Sequence, residues 1–461
     1  MACTHGQTPA GSRIPLSPCQ RSPRPLNVVF LSDWLSFPCG MAATNRVRLL
    51  ARAMVEAGAE AHVMSMQASD RPPVVENRKT RGEWHGVTFE YTCGTTTRHS
   101  SFVMRRIIEV RGWLTAMLRL IQLRRGGRLD VVYLWLTCQR ADWERALFVV
   151  LLRLLRVPIV MELNERPWAL RDDQTVIERS VSPLAGMDGA VSISRYLTNW
   201  ARAEGARRRP RLRIVEVPIL VDMAEQPDPR ELEQGELIVV FAGAPEYDET
   251  VDFIVRAMEY VWRRFPTCRL LITGARPGDP AAEALARRLA EQSAGSRDRV
   301  RLVGYLTRDE LLGLYQEARA LLIPLFDDVR SKARFPTKTA EYMASGRPII
   351  TTRVGEMARL FADGENAFVC EPGDAEEYGL RICAALADIE LARRVGAAGR
   401  EYAREHFEYG AYGRPLVEAF EQVRRDAERH HQRRRETAFR ETEMHGHGGS
   451  GGQDGKERRE P

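Results

Sequence analysis

Between Asn27 and Met66 the apolar positions change period twice. NVVFLS, residues 27–32, is a short, almost continuous apolar run of the kind that forms a buried strand. RVRLLARAMVEA then places apolar residues three and four apart, as one face of a helix requires, and Gly58 stops it before a second run, EAHVMSM. Strand, loop, helix and strand in that order predict a βαβ unit and a parallel sheet. The alternation continues with a helix over 102–123, a strand over 131–136, a helix over 143–155, a strand over 158–163 and closing strands over 189–194 and 214–221. The texture changes at MAEQPDPRELEQGE, residues 223–236, which is acidic and carries no apolar period; it reads as a linker. Beyond it the strand–helix rhythm restarts, with strands over 237–243, 269–274, 300–304, 320–325, 348–352 and 367–370. The pattern predicts an α/β protein of two doubly wound, Rossmann-like domains facing a cleft. The first covers 27–222 and the second 237–395, and helices over 396–428 pack back toward the first domain. The polar stretches 1–26 and 429–461 lack a core pattern, and disorder is expected in both.

Composition fits this scheme. A chain of 461 residues is too long for one ordinary core, and 44% hydrophobic with 28% charged residues describes a globular protein. The net charge of +6 is modest and arginine-led, with local runs at Arg207–Arg209 and Arg433–Arg435. Such runs suit nucleotides or lipid headgroups, and solvated surfaces equally; nothing points to nucleic acid. Eight cysteines without a Cys-x-x-Cys pair argue for a reducing compartment and against structural zinc. The opening residues have no apolar h-region, and the longest apolar stretch, 146–155, contains Arg153. A cytoplasmic protein is expected, with any membrane role peripheral and at the inner face. The basic, amphipathic stretch 105–127, with Trp113, could lie on an anionic bilayer, or could cover the sheet and let its arginines snorkel.

The chemistry concentrates in SKARFPTKTAEYMASGRPII, residues 331–350. A proline at the start of a helix, Arg334 and Lys338 beside it, and the free amides of the first turn make an anion site around Thr337. Lys338, Glu341 and Ser345 are spaced to share one helix face, so a phosphate at the helix start and a diol one turn deeper would both find partners. A plain capped helix with a Lys338–Glu341 pair has the same spacing. In the first domain Gly40 sits in the loop after the first strand, where amides can approach an oxyanion. Arg46 follows one turn into the next helix. MELNERPW, 161–168, leaves a strand at the carboxyl edge of the sheet, where doubly wound folds bind ligands, and presents Glu162, Asn164 and Glu165. Ser194, in the SISRYL turn, is a further cleft candidate.

PTKTAEYMASGRPII, with the preceding VRLVGYLTRDELLGLYQEARALLIPL and the following TTRVGEMARLFADGENAFVCEPGD, resembles the nucleotide-sugar-binding domain of glycosyltransferase family 4, of the GT-B fold. GMAATNRVRLLARAMVEAGAEAHV and VPILVD resemble that family's first loop and helix and the strand leaving its first domain, so the likeness covers about 27–420. The resemblance implies a retaining, metal-independent transferase that moves a sugar from a nucleoside-diphosphate donor to an acceptor hydroxyl, and needs no cofactor. The acceptor would be a glycan, a lipid-linked sugar or a small molecule. It implies that Glu341 binds the ribose hydroxyls and that Gly243 forms the tight turn after the first strand of the second domain. It implies a donor contact from Gly40 and puts the loop of Asn164 and Glu165 on the acceptor side; the residue chemistry itself adds donor contacts from Arg334, Thr337, Lys338 and Ser345, and Arg46 either reaches the acceptor side of the cleft or lies on the surface. Lys338, Glu341 and Glu165 are the catalytic candidates. The chain departs from the family twice. Ala333 stands where the family's Glu-x7-Glu motif has its first glutamate, and FAGAPEYDETVDF lacks the usual arginine and lysine that grip the diphosphate. Lys338, supported by Arg334 or Lys332, is the expected replacement, because a diphosphate leaving group needs positive charge.

Other chemistries lack their motifs: there is no Gly-x-Ser-x-Gly elbow, no P-loop and no Gly-x-Gly-x-x-Gly turn. Asp327–Asp328 is only an adjacent pair, and His430–His431 falls in the tail. The two departures leave two alternatives standing: a non-catalytic GT-B protein that binds a nucleotide-sugar or serves as a scaffold, and a sugar-nucleotide epimerase.

Overall fold

The computed structural model describes residues 24–72, 74–135, 142–165, 184–208, 212–231, 235–243, 248–274, 280–291 and 299–446. The first sheet contains β1 (Asn27–Ser32), β2 (Glu60–Ser65), β3 (Arg81–Trp84), β4 (Val87–Tyr91), β5 (Val131–Trp135), β6 (Ile159–Leu163), β7 (Gly189–Ser192) and β8 (Arg213–Glu216). Its order is β3-β4-β2-β1-β5-β6-β7-β8, and it is parallel except for the β3–β4 hairpin. The second contains β9 (Ile238–Ala242), β10 (Arg269–Thr273), β11 (Val300–Gly304), β12 (Ala320–Ile323), β13 (Ile349–Thr352) and β14 (Phe368–Cys370), in the order β11-β10-β9-β12-β13-β14. Both sheets reverse direction of winding once, between β1 and β5 and between β9 and β12. Those two points are where a doubly wound fold opens a crevice. The architecture is GT-B.

The structure departs from the apolar pattern in three places. The β3–β4 hairpin falls in a region where the apolar pattern predicted no element. Its two-residue turn puts His85 and Gly86 at φ 47° and 78°, the left-handed pair that fits the twist of a hairpin. Only one of these two residues is a glycine, so the turn signal is weak. The run 214–221 is not one strand: β8 ends at Glu216 and the chain leaves the sheet as an extended crossing segment. Helix continues well past residue 428, since the last helix spans Gly410–Gly446. Its first half supplies the reason, because Leu416, Phe420 and Val423 join the core of the first domain.

The domains are tied twice. Within the crossing segment Val221 donates to the Phe407 carbonyl at 2.8 Å, and Tyr409 donates back to Val221 at 3.0 Å. The Glu408 carboxylate accepts from the Met223 amide at 2.9 Å. The last helix then lies on α1 (Ala42–Glu56), and Tyr409 donates its hydroxyl proton to Glu56 at 2.8 Å. The helices approach at Gly413, where a methyl group would come within 2.1 Å of the Ala53 carbonyl oxygen.

That contact generates a stability prediction. Gly413→Ala should lose about 1–3 kcal/mol as the helices are forced apart. Gly410→Ala, with open space around it, should unfold like the parent. Thermal and urea unfolding of the two variants measures the difference; equal midpoints would contradict the close packing.

Candidate active site

A cavity of about 250 Å³ lies between the two switch points. Its first-domain wall is made by Ala42, Ala43 and Arg46 after β1, Trp135 at the end of β5, and Asn164 and Glu165 after β6. Its second-domain wall is made by Phe241 at the end of β9, Thr250, the segment Ile323–Leu325 after β12, and Arg334 through Lys338. Most of these positions are at the carboxyl end of a strand or in the helix that follows it, and Arg334 through Lys338 join the two short helices between β12 and β13.

Lys338 begins the helix Lys338–Ala344, which is held hard against β9. The Tyr342 hydroxyl accepts the Ala242 amide at 2.8 Å, and the Tyr342 ring meets Tyr315 edge-on at 4.9 Å. The Arg400 guanidinium caps the helix end at the Ala344 carbonyl. This packing fixes where the ammonium can go: Lys338 Nζ donates to the Ala242 carbonyl and stands 5.2 Å from the centre of the Phe241 ring. Burial, with the Arg334 charge nearby, pulls the Lys338 pKa down to about 8, and Glu341 opposes the shift. Arg334 lines the same cavity. Lys332 does not, because it pairs with Asp327 at 2.5 Å.

Glu341 lies one turn deeper, only 8% exposed, and its carboxylate faces two donors. Asn45 of α1 donates to Oε1 at 3.0 Å and Arg308 donates to the same oxygen at 2.8 Å. Arg308 also donates to Glu225 at 3.0 Å, and Glu225 accepts from Arg48, three residues beyond Asn45, at 2.8 Å. The result is a ring of alternating charge that joins α1, the linker and the second domain. Burial works against the Arg308 charge, and the two carboxylates outweigh it, holding its pKa above the ordinary value. Asn45, Arg48, Glu225 and Arg308 were not singled out in the sequence. The Thr307–Glu310 capping box that starts the Arg308 helix was a local signal, but nothing local marks its partner.

The shared face expected for Lys338, Glu341 and Ser345 is therefore divided. Lys338 faces the cavity and Glu341 faces the ring. Ser345 is buried, its hydroxyl donating to the Tyr342 carbonyl of its own helix at 2.6 Å, so it is a capping residue and not a donor contact. Arg46 lines the cavity and is also held from within the first domain: its guanidinium donates to Glu162 at 2.6 Å, to the Pro218 carbonyl at 2.6 Å and to the Val217 carbonyl at 3.0 Å, so it braces the first sheet as well. Tyr133 donates to the other oxygen of Glu162. Burial raises the Glu162 pKa, against the pull of Arg46.

The remaining candidates divide between cleft and scaffold. Asn164 and the exposed Glu165 both line the cavity, while the residues that follow them, 166–168 of MELNERPW, lie outside the described residues. Thr337 lines the cavity as the first residue of the turn. Gly40 closes the β1–α1 loop tightly: a methyl group there would come within 2.4 Å of Thr44 Oγ1, and Gly40 is not in the cavity wall. Gly243 ends β9, donating to the Thr273 carbonyl at 3.1 Å, and a methyl group on it would strike the Phe241 ring. Ser194 and Ala333 meet each other across the domains, the Ser194 hydroxyl donating to the Ala333 carbonyl at 2.5 Å. Next to them the Arg195 amide donates to Glu356, in the VGE sequence, at 2.7 Å.

The chain is similar to known glycosyltransferases in sequence and in fold. Residues 236–388 match the family described as Glycosyl transferases group 1. The chain is 22% identical over 288 residues to the alpha-D-kanosaminyltransferase of Streptomyces kanamyceticus, covering 59% of this chain and 72% of that one. It is 26% identical over 169 residues to the D-inositol 3-phosphate glycosyltransferase of Corynebacterium glutamicum, but spans only 39% of that protein's length and 36% of its own. Among solved structures, the sucrose-phosphate synthase of Thermosynechococcus elongatus superposes with a TM-score of 0.64 at 18% identity, over 86% of this chain and 99% of that one. The Anabaena protein HepE, solved with UDP-glucose, gives 0.62 at 13% identity, over 86% and 100%.

The depressed Lys338 pKa has a signed consequence for anion binding. Below about 8 the ammonium is charged and can meet a phosphate; as pH rises through 8 the free protein loses that charge. The dissociation constant of a nucleoside diphosphate, measured by calorimetry, should be level up to neutrality and rise by up to about tenfold from pH 8 to 9. Lys338→Met should bind more weakly and lose this pH step. An unchanged step in the variant would assign it to another group.

Proposed function

We propose that this GT-B glycosyltransferase, similar to family 4 and carrying a group 1 domain over residues 236–388, moves a hexose-type sugar from a nucleoside diphosphate to an acceptor hydroxyl in the interdomain cavity. The observation that carries the reading is the convergence of Lys338 and Arg334 from one domain with Asn164 and Glu165 from the other on that cavity. As its bond to the sugar breaks, the diphosphate, already doubly negative, gains one further negative charge, and Lys338 and Arg334 are placed to stabilise it. Glu341, one turn deeper, takes the ribose hydroxyls when Asn45 or Arg308 gives way. Asn164 and Glu165 approach the sugar and the acceptor from the first domain. With cations supplied by side chains, the transfer proceeds without a metal and with retention. A phosphate oxygen of the leaving group receives the acceptor proton.

Family relatives support a nucleotide-sugar donor. HepE was solved with UDP and with UDP-glucose. The test is a thermal-shift screen with UDP, GDP, ADP and their sugars, followed by release of nucleoside diphosphate in the presence of cell extract. Lys338→Ala should lower release by about 10²–10³-fold. Glu341→Gln should raise the donor KM by about tenfold, with folding checked by the unfolding midpoint. Release should persist with chelator, and the product anomer should match the donor. No shift with any nucleotide sinks the donor site. Interconversion of donors without acceptor would instead favour an epimerase.

Peripheral membrane contact is supported by a separate observation. The helix α2 (Phe102–Arg125) exposes Val103, Ile107, Val110, Leu114 and Leu118 as one stripe, each at 49% or more. α3 (Asp142–Leu154) exposes Leu147, Val150 and Leu154, and both helices cover the same face of the sheet. Arginines flank the α2 stripe, as an anionic leaflet requires. No helix among the described residues is long and apolar enough to cross a membrane. The protein should sediment with vesicles containing phosphatidylglycerol and not with pure phosphatidylcholine, and Ile107→Asp with Leu114→Asp should abolish it. Equal sedimentation of this variant would remove the stripe from the account.

A further inference from the structure

Asn45 lies on α1 between Ala43 and Arg46, which both wall the cavity, and its side chain crosses to Glu341 of the second domain. It is only 7% exposed, and its amide is half satisfied. Nδ2 donates to Glu341 Oε1 at 3.0 Å, whereas Oδ1 is buried with no hydrogen-bond partner among the described residues. Turning the amide over does not help, because two acceptors, Oδ1 and Oε1, would then face each other at 3.0 Å. The nearest cation along the helix is committed elsewhere. Arg48 gives its guanidinium to Glu225 at 2.8 Å and lies over the Trp84 ring at 4.4 Å. A buried carbonyl oxygen without a donor is the costly case, so this one calls for a donor that the chain itself does not supply.

The two groups that hold Glu341 also differ in what they lose by leaving it. Arg308 donates to Glu225 as well, at 3.0 Å, and its side chain is 29% exposed, so it keeps a partner and water. Asn45 has only Glu341, and leaving it would strand the whole amide. Arg308 is therefore the donor that yields its place. What remains is a carboxylate from one domain beside an unpaired carbonyl oxygen from the other. Two adjacent acceptors suit two adjacent hydroxyl donors, as a vicinal diol provides.

We propose that Asn45 is a specificity residue for the donor nucleotide: one hydroxyl of the ribose diol donates to Glu341 and its neighbour to Asn45 Oδ1, while Asn45 Nδ2 stays on Glu341. The ribose then bonds to both domains at once. The inference rests on the reading of the cleft as a nucleotide-sugar site with the ribose at Glu341. Asn45 takes no part in the transfer step itself, since it meets the nucleotide away from the diphosphate at Lys338.

The probes are UDP, GDP and ADP, and the 2′-deoxy and 3′-deoxy forms of whichever binds tightest, titrated calorimetrically into the full chain. The parent should bind each deoxy form about tenfold more weakly than the ribonucleotide. Asn45→Ala and the polar Asn45→Ser, each with its unfolding midpoint measured, should weaken the ribonucleotide by about tenfold. They should leave one deoxy form, the one lacking the hydroxyl that Asn45 holds, bound as by the parent. A uniform loss across the ribonucleotide and both deoxy forms would make Asn45 a structural prop and overturn the proposal. So would variants that bind every form like the parent, or a parent indifferent to either hydroxyl. Binding of none of the three ribonucleotides counts against the donor site itself and takes this inference with it, whereas binding without the selective loss counts against Asn45 alone.

Discussion

Glu341 is a carboxylate almost removed from water, and it is tolerable there only because Asn45 and Arg308 hold it. Those two partners come from different domains, so satisfying one buried charge also sets how the domains face each other. Arg308 needs a second carboxylate to balance it and takes Glu225 from the linker; Glu225 in turn takes Arg48 from α1. Charge balance thus propagates through four side chains and fixes the width of the cleft between the switch points. Breaking one member leaves its partner buried and unpaired, which is the costly case for such pairs, commonly about 3–5 kcal/mol when the site stays dry. A ligand that offers hydroxyls to Glu341 can replace Asn45 or Arg308 without that cost.

The two departures from the family pattern have a structural setting. Ala333 is fully buried, and its carbonyl is held by Ser194 across the domain boundary. A glutamate side chain at that point would have to place its charge inside the domain contact. Near the end of β9, where the sequence that follows lacks the basic pair, Lys338 reaches back over Phe241 to the Ala242 carbonyl. Its low pKa follows from how enclosed that position is.

Much of this was legible in the sequence, for reasons that differ by level. Apart from the β3–β4 hairpin, most strands of the two sheets are largely apolar runs because parallel strands are covered on both faces, so their existence and succession along the chain could be read directly. The stretch 331–350 stood out because a proline, two cations and a glutamate fall within two helical turns. What the sequence left out is partly long-range and partly local. Arg46 does line the cleft, but nothing local shows that the Glu162 carboxylate and the carbonyls of Val217 and Pro218 also hold it. Ser345 has the right spacing but turns to its own backbone, as serine near a helix end often does. Asn45 and Arg308 meet Glu341 across separations of 296 and 33 residues, and no local pattern encodes such a meeting. The last helix was cut short because its apolar positions stop after Val423, although the hydrogen-bonded backbone continues to Gly446.

The central claim is that the nucleotide binds between the two switch points, with its diphosphate in the cavity at Lys338 and its ribose beyond the cavity wall at Glu341. A crystal structure with a bound nucleoside diphosphate tests it most directly. The account predicts phosphate oxygens within hydrogen-bond distance of Lys338 Nζ and Arg334, and a ribose hydroxyl on Glu341 in place of Asn45 or Arg308. Nucleotide bound elsewhere, or bound in the cleft with Glu341 still held by both partners and Lys338 untouched, would contradict it.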